Sequence, residues 1–117
     1  MINSYKDLTV WQKSIDLVES IYKITKSFPK SETYGLSLQM RQSVVSIPSN
    51  IAEGNRRSTR KDDAKYLSIA FGSGAELVTQ LIIAKKLSYI NNSNDYSANE
   101  LLERVMKMLN RLIKSLH

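Results

Sequence analysis

The chain has 117 residues, the size of one ordinary domain, with 42% hydrophobic and 24% charged side chains, a balance that excludes a disordered tail. It has no cysteine, which excludes disulfides, thiolate metal sites and a cysteine nucleophile, and only four glycines and two prolines, too few turn formers for an all-β fold. The net charge is +6, and residues 56–65 hold five basic and two acidic side chains, so half of the excess sits in ten residues. A concentrated basic patch attracts phosphate backbones or anionic surfaces.

The N-terminal segment carries Lys6 and Asp7 and lacks an apolar signal-peptide core, and the longest apolar run, residues 81–84, is far too short to span a membrane. The expectation is a cytoplasmic, membrane-free protein. A first helix is predicted over residues 8–27, with Trp11, Ile15, Val18 and Tyr22 on one face, Asp7 as its cap and Phe28-Pro29 as its stop.

The second helix is predicted over residues 33–53. Leu36, Met40, Val44, Ile47 and Ile51 make its apolar stripe. Pro48 inside it removes a backbone bond and is expected to kink the axis, with Ser49 and Asn50 satisfying the freed groups and Gly54 as a left-handed C-cap. The third helix is predicted over residues 60–89, opened by a Thr59/Asp62 capping box. It carries two adjacent apolar faces, Leu67, Phe71, Gly74, Val78 and Leu81 beside Tyr66, Ala70, Leu77, Ala84 and Leu87. So broad an arc suits a central helix or one that meets another subunit. Residues 91–96 read as a polar loop, and Ser97 with Glu100 as the capping box of a fourth helix with Leu102, Val105, Met106, Leu109, Leu112, Ile113 and Leu116 on its buried side. The pattern predicts an all-α fold, a single domain over residues 1–117, arranged as an antiparallel up-down-up-down four-helix bundle.

Catalytic chemistry has few carriers. The one histidine is His117, and no Glu-x-x-His pair of a di-iron bundle is present, so neither metal nor cofactor is expected. Glu53 and Glu76 lie in apolar helical context and read as caps or inter-helix ion pairs, for example with Arg41, or else as a buried acid pair. Gly72-Ser73-Gly74 lacks the third glycine and the preceding strand of a nucleotide loop, and small residues there favour close helix packing. Two basic groups remain: Arg56, Arg57, Arg60, Lys61 and Lys65 at the junction of the second and third helices, and Arg104, Lys107, Arg111 and Lys114 on one face of the fourth. Arginine grips phosphate bidentately and a helix N-terminus adds positive potential. The competing reading is a solvated face with i,i+4 pairs, Glu100–Arg104 and Glu103–Lys107.

Three stretches carry a family resemblance. They are Tyr5-Lys6-Asp7-Leu8-Thr9-Val10-Trp11-Gln12-Lys13, the central Ile47-Pro48-Ser49-Asn50-Ile51-Ala52-Glu53-Gly54, and the run from Tyr66 to Ser73 continuing through Ala75-Glu76-Leu77 to Thr79-Gln80-Leu81. Together they resemble the bacterial four-helix bundle proteins encoded in intervening sequences of 23S rRNA genes, over roughly residues 4–115. The chain is also similar to the accessory variability determinant of diversity-generating retroelements, a basic pentamer that binds a reverse transcriptase and nucleic acid. The resemblance implies a four-helix fold, a ring-like homopentamer and no catalytic residues. It adds Arg41 to Arg56 and Arg57 as candidate nucleic-acid contacts. The reading is a non-enzymatic, oligomeric nucleic-acid-binding module, with a protein-interaction scaffold as the alternative.

Overall fold

A computed structural model describes residues 4–57 and 59–117. Four helices follow one another: α1 (Thr9–Lys26), α2 (Leu36–Arg56), α3 (Arg60–Lys86) and α4 (Asn92–Ser115), with short 3-10 turns at Tyr5–Asp7 and Lys30–Glu32. α1 packs on α2, α2 on α3, α3 on α4, and α4 closes back onto α1. The result is an all-α four-helix bundle with extents of 43 × 25 × 22 Å. A 27-residue α3 measures about 40 Å at 1.5 Å per residue, so one helix sets the long dimension.

Contacts at both ends fix how the helices run. Arg60, the first residue of α3, donates from Nη2 to the carbonyl of Ser115, the last residue of α4, at 2.9 Å. At the opposite end Lys85 of α3 pairs with Asp95 of α4 at 3.0 Å. Those two contacts require α3 and α4 to point in opposite directions. Between α2 and α3, Ser46 meets Ser73 at 2.7 Å while Gly54 faces Asp63 and Tyr66, again a register of opposed helices.

The core is one layer per helix. Met40, Val44, Ile47 and Ile51 of α2 are fully buried, the stripe expected from their spacing. Leu77 and Leu81 of α3 and Leu102, Val105 and Leu109 of α4 meet them, each hidden Leu or Val contributing about 1.5–3 kcal/mol of apolar transfer free energy. α3 is long and apolar enough to cross a membrane; its Leu67, Ala70, Leu77 and Leu81 lie in the bundle core, while Ile69, Ile82 and Ile83 are exposed.

α1 differs from expectation. Its buried residues are Val10, Ser14, Leu17, Ile21, Ile24 and Thr25, a face one step round from the predicted one. Ile15 and Tyr22 are each 41% exposed, and Trp11 and Val18 are only partly covered. Helix one has two apolar faces, and packing against α2 and α4 selects the one that also carries Ser14, whose burial is tolerated because its hydroxyl donates to the Trp11 carbonyl at 2.7 Å. The position before α1 is Leu8, which gives no side-chain cap, and Asp7 belongs to the preceding 3-10 turn.

α2 runs three residues past its expected end. Gly54 is a buried helical residue with negative φ rather than a left-handed cap. The reason is steric: a Cβ there would lie 2.9 Å from the Tyr66 Cβ and 3.2 Å from the Asp63 carbonyl oxygen. Pro48, also buried, has no N–H for the Val44 carbonyl. Ser49 Oγ donates to the Val45 carbonyl and Asn50 Nδ2 to the Ser46 carbonyl, both at 2.8 Å, so these side chains serve the two following carbonyls rather than the one that proline leaves.

α3 opens as expected, with Thr59 Oγ1 accepting from the Asp62 N–H at 3.1 Å. It ends earlier than expected. Tyr89 N–H bonds the Ala84 carbonyl at 2.9 Å and Ser88 N–H the Lys85 carbonyl at 3.0 Å, a Schellman closure with Ser88 at φ 63°. Residues 92–96 of the supposed loop are helical: Asn91 Oδ1 caps the Asn94 N–H at 2.8 Å, and Ser97 lies inside α4. Asparagine at the cap position outcompetes the serine six residues on, because the helix extends to the first good cap that the α3 closure leaves room for.

Two glycines in these central helices have opposite consequences. Gly54→Ala is expected to destabilise the fold by about 1–3 kcal/mol, since backbone and Cβ atoms of α3 stand where the methyl would go. Gly72, exposed with no atom within 4 Å of an added Cβ, is expected to gain about 0.5–1 kcal/mol as alanine. Urea denaturation of both variants checks the pair.

Candidate nucleic-acid interface

The structure brings most of the candidate cations to one end. Arg56 and Arg57 close α2, and Arg60, Lys61 and Lys65 begin α3. The Arg60–Ser115 bond draws the last turn of α4 against this junction, and with it Arg111 and Lys114. Seven of the ten candidate cations therefore share the end where α2 stops, α3 starts and α4 stops. Lys61, Lys65, Ser68 and His117 line a depression of about 380 Å³ there, floored by Ala64 and Leu116.

The other three stand apart. Arg104 and Lys107 lie roughly 16 Å and 12 Å back along α4 from Ser115 at 1.5 Å per residue. They pair with Glu100 at 3.3 Å and Glu103 at 3.0 Å, the i,i+4 pairs anticipated from spacing. Arg41 lies fifteen residues before Arg56, roughly 22 Å along α2. It stacks on Tyr22, 4.5 Å from the ring centroid, and donates from Nε to Thr25 Oγ1 at 2.9 Å. Arg41 thus ties α2 to the end of α1.

Partnering also sorts the cations at the basic end. Arg57 Nη2 donates to Glu53 at 2.6 Å and to the Tyr66 hydroxyl at 2.9 Å, with its guanidinium 5.0 Å from the Tyr66 ring. The hydrogen bond to Glu53 raises the Arg57 pKa further. Glu53 is exposed and its partner is Arg57, four residues on, so neither the buried acid pair nor the Arg41 pairing is present. Glu76 is likewise exposed and lies near Ser43, ten residues of helix from Glu53. Arg60 supplies a cation to the negative end of the α4 dipole. Lys65 lies 5.8 Å from the Tyr66 ring. Arg56, Lys61, Arg111 and Lys114 have no ion-pair partner among the described residues.

Asp62 and Asp63 sit in the first turn of α3, where the helix dipole favours them. Asp63 is partly covered by α2, and burial pushes its carboxyl above the ordinary value of 3.8. Tyr66, which the spacing places on an apolar stripe, instead grips Arg57 with its hydroxyl and its ring. The aromatic nine residues after an arginine gave no local signal, since the contact crosses the α2–α3 turn. Gly72-Ser73-Gly74 divides: Gly72 faces open space, Ser73 bonds Ser46, and Gly74 lies against Met106.

A four-helix bundle with a cationic end defines the class. Residues 6–111 match the model of the 23S rRNA-intervening sequence protein family, and the chain belongs to that family. It is similar to a crystal structure from Bacteroides thetaiotaomicron, described as a protein with unknown function from the S23 ribosomal protein family. The two share 26% identity with a TM-score of 0.83, over 90% of this chain and 95% of that one. No curated protein matches the sequence.

Asp63 gives a pH signature to this end. Its folded pKa is raised, so its contribution to stability is full below the unfolded value of about 3.8 and is lost as pH rises through the folded one. Asp63→Asn is expected to flatten the stability curve just above pH ~4, measured by urea unfolding across a pH series.

Proposed function

We propose that the chain is a non-catalytic module that holds nucleic-acid backbone at its basic end. The observation that supports this is the Arg60–Ser115 bond, which draws Arg111 and Lys114 of α4 to the cations of the α2–α3 junction. Arg56, Lys61, Arg111 and Lys114 are the side chains without an ion-pair partner among the described residues, and phosphate oxygens suit them. Binding is then mainly electrostatic and indifferent to base sequence. The family's name, which ties it to 23S rRNA genes, agrees with RNA as the first ligand to try. Self-association into a ring, a pentamer by the resemblance, would repeat the cationic end around an axis.

A second reading is a protein-interaction scaffold, serving for instance a reverse transcriptase, in a cytoplasmic setting. The observation in its favour is a groove of about 500 Å³ between α1 and α2, lined by Tyr22, Leu38 and Val45 with Arg41 at its edge. A pull-down that returns one protein and survives nuclease treatment would support this reading over the first.

Fluorescence anisotropy with labelled structured RNA and duplex DNA across a salt series tests the primary reading. The logarithm of affinity is expected to fall steeply with that of salt, by about 0.9 per neutralised phosphate on duplex DNA. Arg56→Ala/Lys61→Ala/Lys65→Ala should weaken binding and flatten the slope by about two to three contacts' worth. Arg104→Ala/Lys107→Ala should change it little, because these cations are already paired on the protein. An unchanged slope in the triple variant would overturn the assignment.

A further inference from the structure

The depression of about 380 Å³ between the start of α3 and the end of α4 is more than a cationic surface. Lys61, Lys65 and Ser68 follow one another at steps of four and three, so they share one face of α3. Ala64, buried on that same face, and Leu116, half-buried at the end of α4, form an apolar floor, and His117 completes the lining. The floor is held in place. Arg60 Nη2 bonds the Ser115 carbonyl at 2.9 Å, and the N–H groups of Leu116 and His117 bond the Ile113 and Lys114 carbonyls at 3.1 and 3.3 Å. Neither lysine has an ion-pair partner among the described residues. Asp62 and Asp63 lie about 100° and 200° round the helix from Lys61, at 3.6 residues per turn, and neither lines the depression.

A phosphate alone would need only the cations and would gain nothing from the floor. An apolar floor beside two unpaired ammonium groups matches a ligand with a flat apolar face and an anionic tail. A nucleotide is such a ligand, and every base has a π-face, so the match is indifferent to sequence. Small-ligand sites span about 300–1,000 Å³, and this depression lies at the lower end, with room for one nucleotide rather than a run of them. A base-paired duplex cannot use the floor, because its bases are stacked and present only their groove edges and phosphates. An unpaired nucleotide at a duplex end, bulge or loop can lay its base there, while the flanking duplex keeps its phosphates on Arg56, Arg111 and Lys114.

We propose that this depression takes a single unpaired nucleotide of an RNA chain, with its base on the Ala64–Leu116 floor and its phosphates at Lys61 and Lys65. The inference rests on the nucleic-acid reading of the basic end and adds to it a preference: a duplex that carries an unpaired nucleotide over one that is fully paired.

The test uses a labelled RNA hairpin in three forms: blunt, with a one-nucleotide overhang, and with the same overhang lacking its base, the overhang being placed at the 5′ and the 3′ end in turn. The intact and abasic overhangs carry equal charge, so the base alone separates them. At one salt concentration, the intact overhang at one of the two ends is expected to bind about tenfold more tightly than its abasic form. Ser68→Leu, at an exposed position, fills the depression without changing its charge, and Leu116→Ser removes the floor. Both variants should lose the preference and keep the wild-type affinity and salt slope for the blunt hairpin, which also reports that they are folded. Adenosine 5′-monophosphate should compete only in large excess, because it lacks the flanking phosphates; competition at concentrations equal to the hairpin's would assign the depression to a free nucleotide and overturn the proposal. Salt-dependent binding of the blunt hairpin with no gain from either overhang, or abasic overhangs bound as tightly as intact ones, would overturn it and leave the nucleic-acid reading standing. A preference retained by both variants would put the nucleotide elsewhere and overturn it as well. No binding of any hairpin would overturn both readings together.

Discussion

The close approach of α2 and α3 at Gly54 is the constraint on which the rest of the bundle depends. With no Cβ at that position, the Tyr66 Cβ and the Asp63 backbone occupy the space directly above the α2 axis. α2 can therefore stay helical to Arg56 and turn into α3 within three residues. That short turn presents five cations on adjoining helix ends instead of spreading them along a loop. It also sets the register that brings Ser73 to Ser46 and lays Leu77 and Leu81 beside the buried stripe of α2. A longer turn with Gly54 as its cap would move α3 along its axis and break both.

How much of this was legible depended on whether the deciding force was local. The α2 stripe was legible because Met40, Val44, Ile47 and Ile51 have a single apolar face to offer. The α1 face was not, because that helix has two. Val10, Leu17, Ile21 and Ile24 are as apolar as Trp11, Ile15, Val18 and Tyr22, and only packing against α2 and α4 chooses between them. Thr59 read correctly as a cap because its hydroxyl reaches a neighbour three residues away. Gly54 read wrongly because what makes a glycine necessary there comes from another helix. Asn91 was passed over for Ser97 on the strength of a capping box, yet the Schellman closure at Ser88 ends α3 early enough for α4 to begin at the asparagine.

The same division holds at the basic end. Glu53 with Arg57, Glu100 with Arg104 and Glu103 with Lys107 are four residues apart, and that spacing is enough to foresee their pairing. The contacts that shape the surface are not local. Arg60 meets Ser115 across 55 residues, and Arg57 meets Tyr66 across a turn. Charge counting along the chain gave two groups of similar promise, whereas the fold divides them by partner and position. Arg104 and Lys107 stay with their glutamates on the α4 face, and Arg111 and Lys114 join the α2–α3 junction.

The placement of the cations at an end, rather than along a face, follows from helix electrostatics. Where α2 and α4 stop, their carbonyls carry partial negative charge, and Arg56, Lys114 and Arg60 meet it. Where α3 starts, its N–H groups carry partial positive charge, which Thr59, Asp62 and Asp63 answer. Opposed helices put these demands side by side, so the local structure calls for both signs within one small region. The acids are spent on the α3 N-terminus, and Asp63 is partly covered by α2. The arginines and lysines reach outward on longer side chains. The charge seen from solvent is therefore more positive than the sequence balance of five basic to two acidic residues in this stretch suggests. A surface built in this way attracts polyanions through the placement of its charges as well as net charge, because its cations converge from three helix ends while Asp62 and Asp63 lie partly covered in the first turn of α3.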